Sequence, residues 1–156
     1  MKIQLLAFIL LLSNAALAQE HEHDHHRHHI GIGVGGSSLL SEYDLALGTH
    51  LHYLYRIRPH SPLSVGLGFE SVWDEHTHNT ITALLNYRIL PRLSVNIGPG
   101  YSFAKEEDET HKALSGHLEV LYEFTVGEFH IGPMLGFGFE KEESHASLGL
   151  HLGLGF

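Results

Sequence analysis

Cysteine is absent from the sequence. That excludes disulfides, thiolate metal sites and a lipid anchor on a cysteine. Long apolar runs are scarce too. The one near-continuous stretch, Ile3 to Leu12, falls well short of the roughly 18 residues a membrane helix needs. Positive charge is also sparse: nine Lys and Arg stand against eighteen Asp and Glu, a formal net charge of −9. Phosphate binding needs a basic surface, so nucleic acid is not an expected partner. Heptads that would favour packed helices are missing. If this chain spans a membrane, it must do so with strands.

The first residues have the pattern of an export signal. Met1-Lys2 is a positive start, the apolar stretch comes next, and Ala16-Leu17-Ala18 is an A-x-A cleavage site before Gln19. This predicts a secretory signal peptide over residues 1–18. The remainder of the chain, from Gln19 to Phe156, suits one small domain.

Seventeen glycines and short runs of alternating character fill that domain. Side chains alternate faces along a strand, so parity separates an apolar face from a small or polar one. Seven such runs lie near residues 29–39, 44–57, 63–73, 79–89, 93–104, 113–124 and 129–140. The last ten residues make the eighth. There Leu148, Leu150, Leu152, Leu154 and Phe156 share one face, and Ser147, Gly149, His151, Gly153 and Gly155 the other. Runs of about ten residues match tilted strands crossing a bilayer. The links alternate between short turns, as at Leu90-Pro91-Arg92, and charged segments, as from Lys105 to Lys112. Short periplasmic turns and longer outer loops are usual in membrane barrels. An even strand count then puts both chain ends in the periplasm. A weak repeat, Ile97-Gly98-Pro99 and Ile131-Gly132-Pro133, fits hairpins closed into one barrel. Pro99 and Pro133 each remove a ladder donor, which predicts local bulges. A soluble barrel of lipocalin type would instead turn the apolar face inward and leave the glycines against water, gaining little from packing.

These features, over residues 30–156 and the signal, resemble the small eight-stranded outer-membrane barrels of Gram-negative bacteria, of the outer membrane protein A and X type. The resemblance implies an all-β, eight-stranded antiparallel up-and-down transmembrane β-barrel in the bacterial outer membrane. It implies outer-membrane lipid as surroundings and the barrel assembly machinery as a partner during biogenesis. The terminal Phe156 looks like the signal that machinery reads. Leu154 stands where many such signals have an aromatic residue. A shared architecture does not assign a function.

Histidine is the chemical peculiarity: sixteen in 156 residues. His21, His23, His25, His26, His28 and His29 come directly after the signal, with Glu20, Glu22 and Asp24 between them. Neutral imidazole binds zinc, nickel or copper, and carboxylates can complete the shell. Residues 19–29 therefore read as a flexible periplasmic arm that captures divalent metal ions, or as a solvated linker. A second set, His50, His52, His117, His130 and His151, has lumen parity. Of these, His50, His52, His117 and His151 are further candidate ligands. They read equally as a polar core paired with Glu70, Glu119, Glu123, Arg56 and Arg88. No ion is expected to be required for the fold. His145-Ala146-Ser147 suggests acyl transfer, but its parity turns it away from lipid, so no enzyme is expected. The leading expectation is a non-enzymatic outer-membrane barrel that binds or handles divalent metal. The alternative is a structural or surface-interaction barrel with no metal role.

Overall fold

A computed structural model describes residues 26–40, 45–73, 77–106, 109–141 and 144–156. The expected signal peptide and His21, His23 and His25 of the arm lie outside the described residues. The strands are β1 (His28–Leu39), β2 (Leu45–Arg56), β3 (Leu63–Trp73), β4 (His78–Leu90) and β5 (Leu93–Glu106), then β6 (Glu109–Tyr122), β7 (Phe124–Val126), β8 (Phe129–Glu140) and β9 (Ser144–Gly155). Each long strand pairs antiparallel with its neighbours around the ring. β1 pairs with β9, and β6 with β8, which closes it. β7 continues β6 along β8 after a break at Glu123, so the barrel has eight strands around its circumference. Closure leaves no sheet edge.

The barrel is inverted relative to a water-soluble protein. Among the described residues nineteen polar or charged side chains are buried against seven apolar ones. Leu67, Leu114, Leu148 and Leu150 point outward with 61–81% of their surface exposed. Tyr53, Tyr87, Phe129 and Phe156 lie outward towards the end that holds the chain termini, and Trp73, Tyr101 and Phe139 towards the far end. An apolar band flanked by two aromatic girdles is the pattern of a lipid-facing barrel. The lipocalin arrangement is excluded by this inversion.

Three expectations are corrected. First, β1 begins at His28, so His28 and His29 belong to the barrel rather than to a free arm. His28 exchanges two backbone hydrogen bonds of 3.0 Å with Phe156, and their rings stack at 5.5 Å. The seam between the first and last strands therefore includes the end of the histidine tract. Second, Lys105–Glu106 and Glu109–Lys112, expected in a link, are strand. β5 and β6 stay paired out to Glu106 and Glu109.

Third, neither proline makes a bulge. Register is unchanged on either side of Pro99, where β4–β5 pairing lapses between Thr82–Gly100 and Leu85–Ile97. It is also unchanged across Pro133, where the lapse is the break between β6 and β7. A proline without N–H costs a ladder bond but inserts no residue. The preceding glycines explain the repeat. A Cβ on Gly98 would collide with the Ala83 carbonyl, and one on Gly132 with the Tyr122 carbonyl. At both places the neighbouring backbone has moved into the space a side chain would fill. Gly132→Ala should therefore destabilise the barrel by about 1–3 kcal/mol through overpacking. Gly116→Ala, whose Cβ would sit 3.9 Å from Phe139, should be nearly neutral. Equilibrium unfolding in lipid tests the pair, and equal costs would refute the close-approach account.

Candidate metal centre

The lumen is lined by alternate residues of the long strands, and the histidines of the second set all fall on that face. His50 and His52 come from β2, His117 and Glu119 from β6, His130 from β8, and His145 and His151 from β9. All are buried. The lumen parity of His50, His52, His117, His130 and His151 is thus as expected. His29 joins them from β1 because the strand starts early.

Glycines let the imidazoles meet. Gly31 on β1 pairs with His52 on one side and Gly153 on the other. A Cβ on Gly31 would lie 2.6 Å from His52 Nε2 and 2.9 Å from His151 Nε2. With no side chain there, the His52 and His151 rings stack across β1 at 5.0 Å and 16°. Gly153 similarly leaves room for His29, and a Cβ there would lie 3.0 Å from His151 Nε2. The result is a triad, His29, His52 and His151, with one donor atom from each within 4.8 Å of the others. A second group, His50, His52 and Glu119, meets the same condition.

Around these groups nitrogen and oxygen are close but poorly aligned. His50 Nδ1 lies 2.5 Å from Glu119 Oε2, and His52 Nδ1 3.8 Å from Oε1. Glu123 Oε1 is 3.3 Å from His151 Nε2 and 4.0 Å from His29 Nε2. Yet neither ring nitrogen of His52 or His151, nor His50 Nδ1, has an aligned hydrogen-bond partner among the described residues. Buried polar atoms are usually satisfied, so such a cluster needs a reason. Three imidazoles, each neutral when it coordinates, can supply a zinc-type ligand set, and Glu123 stands beside two of them. A cavity of about 40 Å³ lies at the end that holds the termini, lined by His26, Glu123 and His130 and by Arg27, Arg56 and Arg88, and His29 is the one triad member in its wall. It has room for one or two waters.

No family model and no curated protein sequence matches the chain. Solved structures do. A de novo designed transmembrane β-barrel matches with a TM-score of 0.56 at 11% identity, over 87% of this chain and all of that one. The attachment invasion locus protein Ail of Yersinia pestis, in complex with the heparin analogue sucrose octasulfate, matches at 0.58 and 18% identity, over 83% of this chain and 97% of its own. Neisserial surface protein A matches at 0.57 and 10% identity, over 83% and 96%. The chain has the fold of the small eight-stranded outer-membrane β-barrels.

Not every candidate ligand falls into the two groups. His117 sits on the far side of His50, with Nδ1 3.5 Å from Glu70 Oε2, and the Oε1 of that carboxylate is 3.2 Å from His145 Nε2. This is the expected polar core. His28 has outward parity, its Nδ1 lies 2.7 Å from the Tyr53 hydroxyl, and it is part of an aromatic girdle, away from the lumen groups. His26 packs at the rim, beside Gly155. His145 and Ser147 both face the lumen and are buried, away from any lipid substrate. Sequence reasoning puts one participant in the wrong group and misses another. His29 groups with the arm by composition, though its even spacing from Gly31 and Gly33 gives it lumen parity. Asn96 donates a 2.6 Å hydrogen bond to Glu119 and fixes that carboxylate; nothing in its surroundings in the sequence marks it.

Proposed function

We propose that the protein is an integral outer-membrane barrel that binds a divalent metal ion of the zinc, nickel or copper class through lumenal imidazoles. His29, His52 and His151 hold the ion, and the histidine tract beginning at His21 raises its local concentration at the periplasmic end. The observation that carries this reading is the buried triad, with both nitrogens of His52 lacking a hydrogen-bond partner among the described residues. The outward apolar band, the aromatic girdles and the A-x-A leader support an outer-membrane location. Phe156, tied to the first strand, suits recognition by the barrel assembly machinery. No reaction is assigned, because the His145–Ser147 pair is turned from the lipid.

A surface role like that suggested by the sulfated ligand on Ail is less well supported. The links at residues 74–78 and 105–112, and Glu140, Glu142 and Glu143, are acidic. Such a face repels polyanions.

Calorimetric titration of the refolded protein with Zn²⁺, Ni²⁺ and Cu²⁺ is the test. His151→Ala should weaken binding by more than the roughly 10–100-fold typical of losing an outer-shell partner. Binding should also weaken on acidification, because a protonated imidazole cannot coordinate. Replacing His21, His23, His25 and His26 by Ser should leave a lumenal site. Binding that vanishes with those four histidines and ignores His151→Ala would move the site to the arm. No binding at all would leave the structural-barrel reading.

A further inference from the structure

The two candidate ligand groups share one residue, His52. An imidazole carries its two nitrogens on different edges of the ring, with lone pairs that diverge, so both cannot serve one ion. The two edges of His52 face different groups. Its Nε2 is directed over Gly31 beside His151 Nε2, within the His29 triad. Its Nδ1 faces Glu119 Oε1 at 3.8 Å, within the group that includes His50. The residue is 1% exposed, and neither nitrogen has a hydrogen-bond partner among the described residues. Unaligned nitrogens alone do not single it out, since those of His117 are also without an aligned partner among the described residues. But His117 faces one carboxylate, Glu70, whereas His52 belongs to both ligand groups.

We propose that the lumen holds a paired two-ion centre bridged by the imidazole of His52. One ion binds His52 Nε2 with His29 and His151. The other binds His52 Nδ1 with His50 and Glu119. This rests on the metal-binding reading and extends it from one site to a coupled pair. Filling both positions forms two metal–nitrogen bonds on one ring. The single N–H proton of neutral His52 leaves to solvent, the ring becomes an imidazolate, and neither ion changes oxidation state. Glu119, Glu123 and the imidazolate supply opposing charge, and Asn96 holds Glu119 in place. The second position is the more deeply enclosed, since Glu119 is 1% and His50 4% exposed. It therefore fills after the first.

Cu²⁺ makes the bridge observable, because an imidazolate couples the spins of two Cu²⁺ ions. The experiment uses refolded protein with His21, His23, His25 and His26 replaced by Ser, so that the tract adds no ions. Metal content after gel filtration should reach two Cu²⁺ per barrel. The paramagnetic resonance signal at full loading should fall far below that of the same copper released by acid. Glu119→Gln should hold one ion with full signal, as should His50→Ala. Gly31→Ala keeps every ligand but fills the floor between His52 and His151, and should also abolish the coupling. It serves as the check if His52→Ala does not fold. Two ions with full, uncoupled signal would overturn the bridge and leave two separate sites. One ion that needs His151 and ignores Glu119→Gln would overturn the pair while the metal reading stands. No bound ion would overturn the metal reading itself.

Discussion

Arginine at Leu150 is expected to destabilise the barrel in lipid vesicles by about 2–4 kcal/mol. Leu150 lies mid-way along β9, with Val34 and Pro133 beside it on the flanking strands. It is 65% exposed. On a water-soluble barrel a residue that exposed would accept a charge at almost no cost. In hydrocarbon the guanidinium must be carried to mid-depth, or snorkel with local thinning of the bilayer. Leu45 is the control. It is 83% exposed, but it opens β2 at the far rim. Arginine there should cost only about 0–1 kcal/mol. The more exposed position is thus expected to be the less sensitive if depth decides, whereas exposure alone would make the two nearly equal. Denaturant unfolding of both variants in vesicles measures the difference. Equal costs would remove the apolar band from the bilayer.

Parity read from single residues places the lumen face correctly along the long strands, because a one-residue error would turn leucines inward and histidines outward. The strand ends are less legible. His28 and His29 look like the tail of a polar tract, and only pairing with Tyr55 and Gly155 across the closing seam makes them strand. Pro99 and Pro133 are recognisable as disturbances, but whether a ladder bulges or merely skips a bond depends on the neighbour. Here Gly98 and Gly132 let the adjacent strand move in. The candidate centre is half legible. Its residue types and face can be read from the sequence. Their grouping cannot, because it depends on the stagger between β2, β6 and β9, which no local pattern encodes. His117 goes to Glu70 and His29 takes a place in the triad for that reason. Gly31 and Gly153 mark the gap: glycine at lumen positions flanked by histidines leaves space for rings from two strands.

Glu119→Leu is expected to destabilise the metal-free barrel by about 2–5 kcal/mol, roughly 1–3 for each buried polar group left without its acceptor. Glu119 is the hub of the lumen. Asn86 Nδ2 donates to Asn96 Oδ1 at 2.7 Å, Asn96 Nδ2 donates to Glu119 Oε1 at 2.6 Å, and His50 lies against Oε2. A leucine of similar volume would leave the Asn96 amide and the His50 ring facing methyl groups, far from water. Glu119→Gln keeps an oxygen for Asn96 and should cost only about 1 kcal/mol. The comparison is made by denaturant unfolding in lipid with a chelator present, so that no ion contributes. A leucine cost below about 1 kcal/mol would mean that shape alone fills the lumen, since replacing a polar pair by apolar groups of the same shape can be nearly neutral. A full cost with chelator would show that the polar network holds the barrel without an ion. Metal binding would then add to a fold that is already complete. If chelation alone lowers the stability of the unaltered protein by as much as the leucine does, that separation fails and the ion is part of the core.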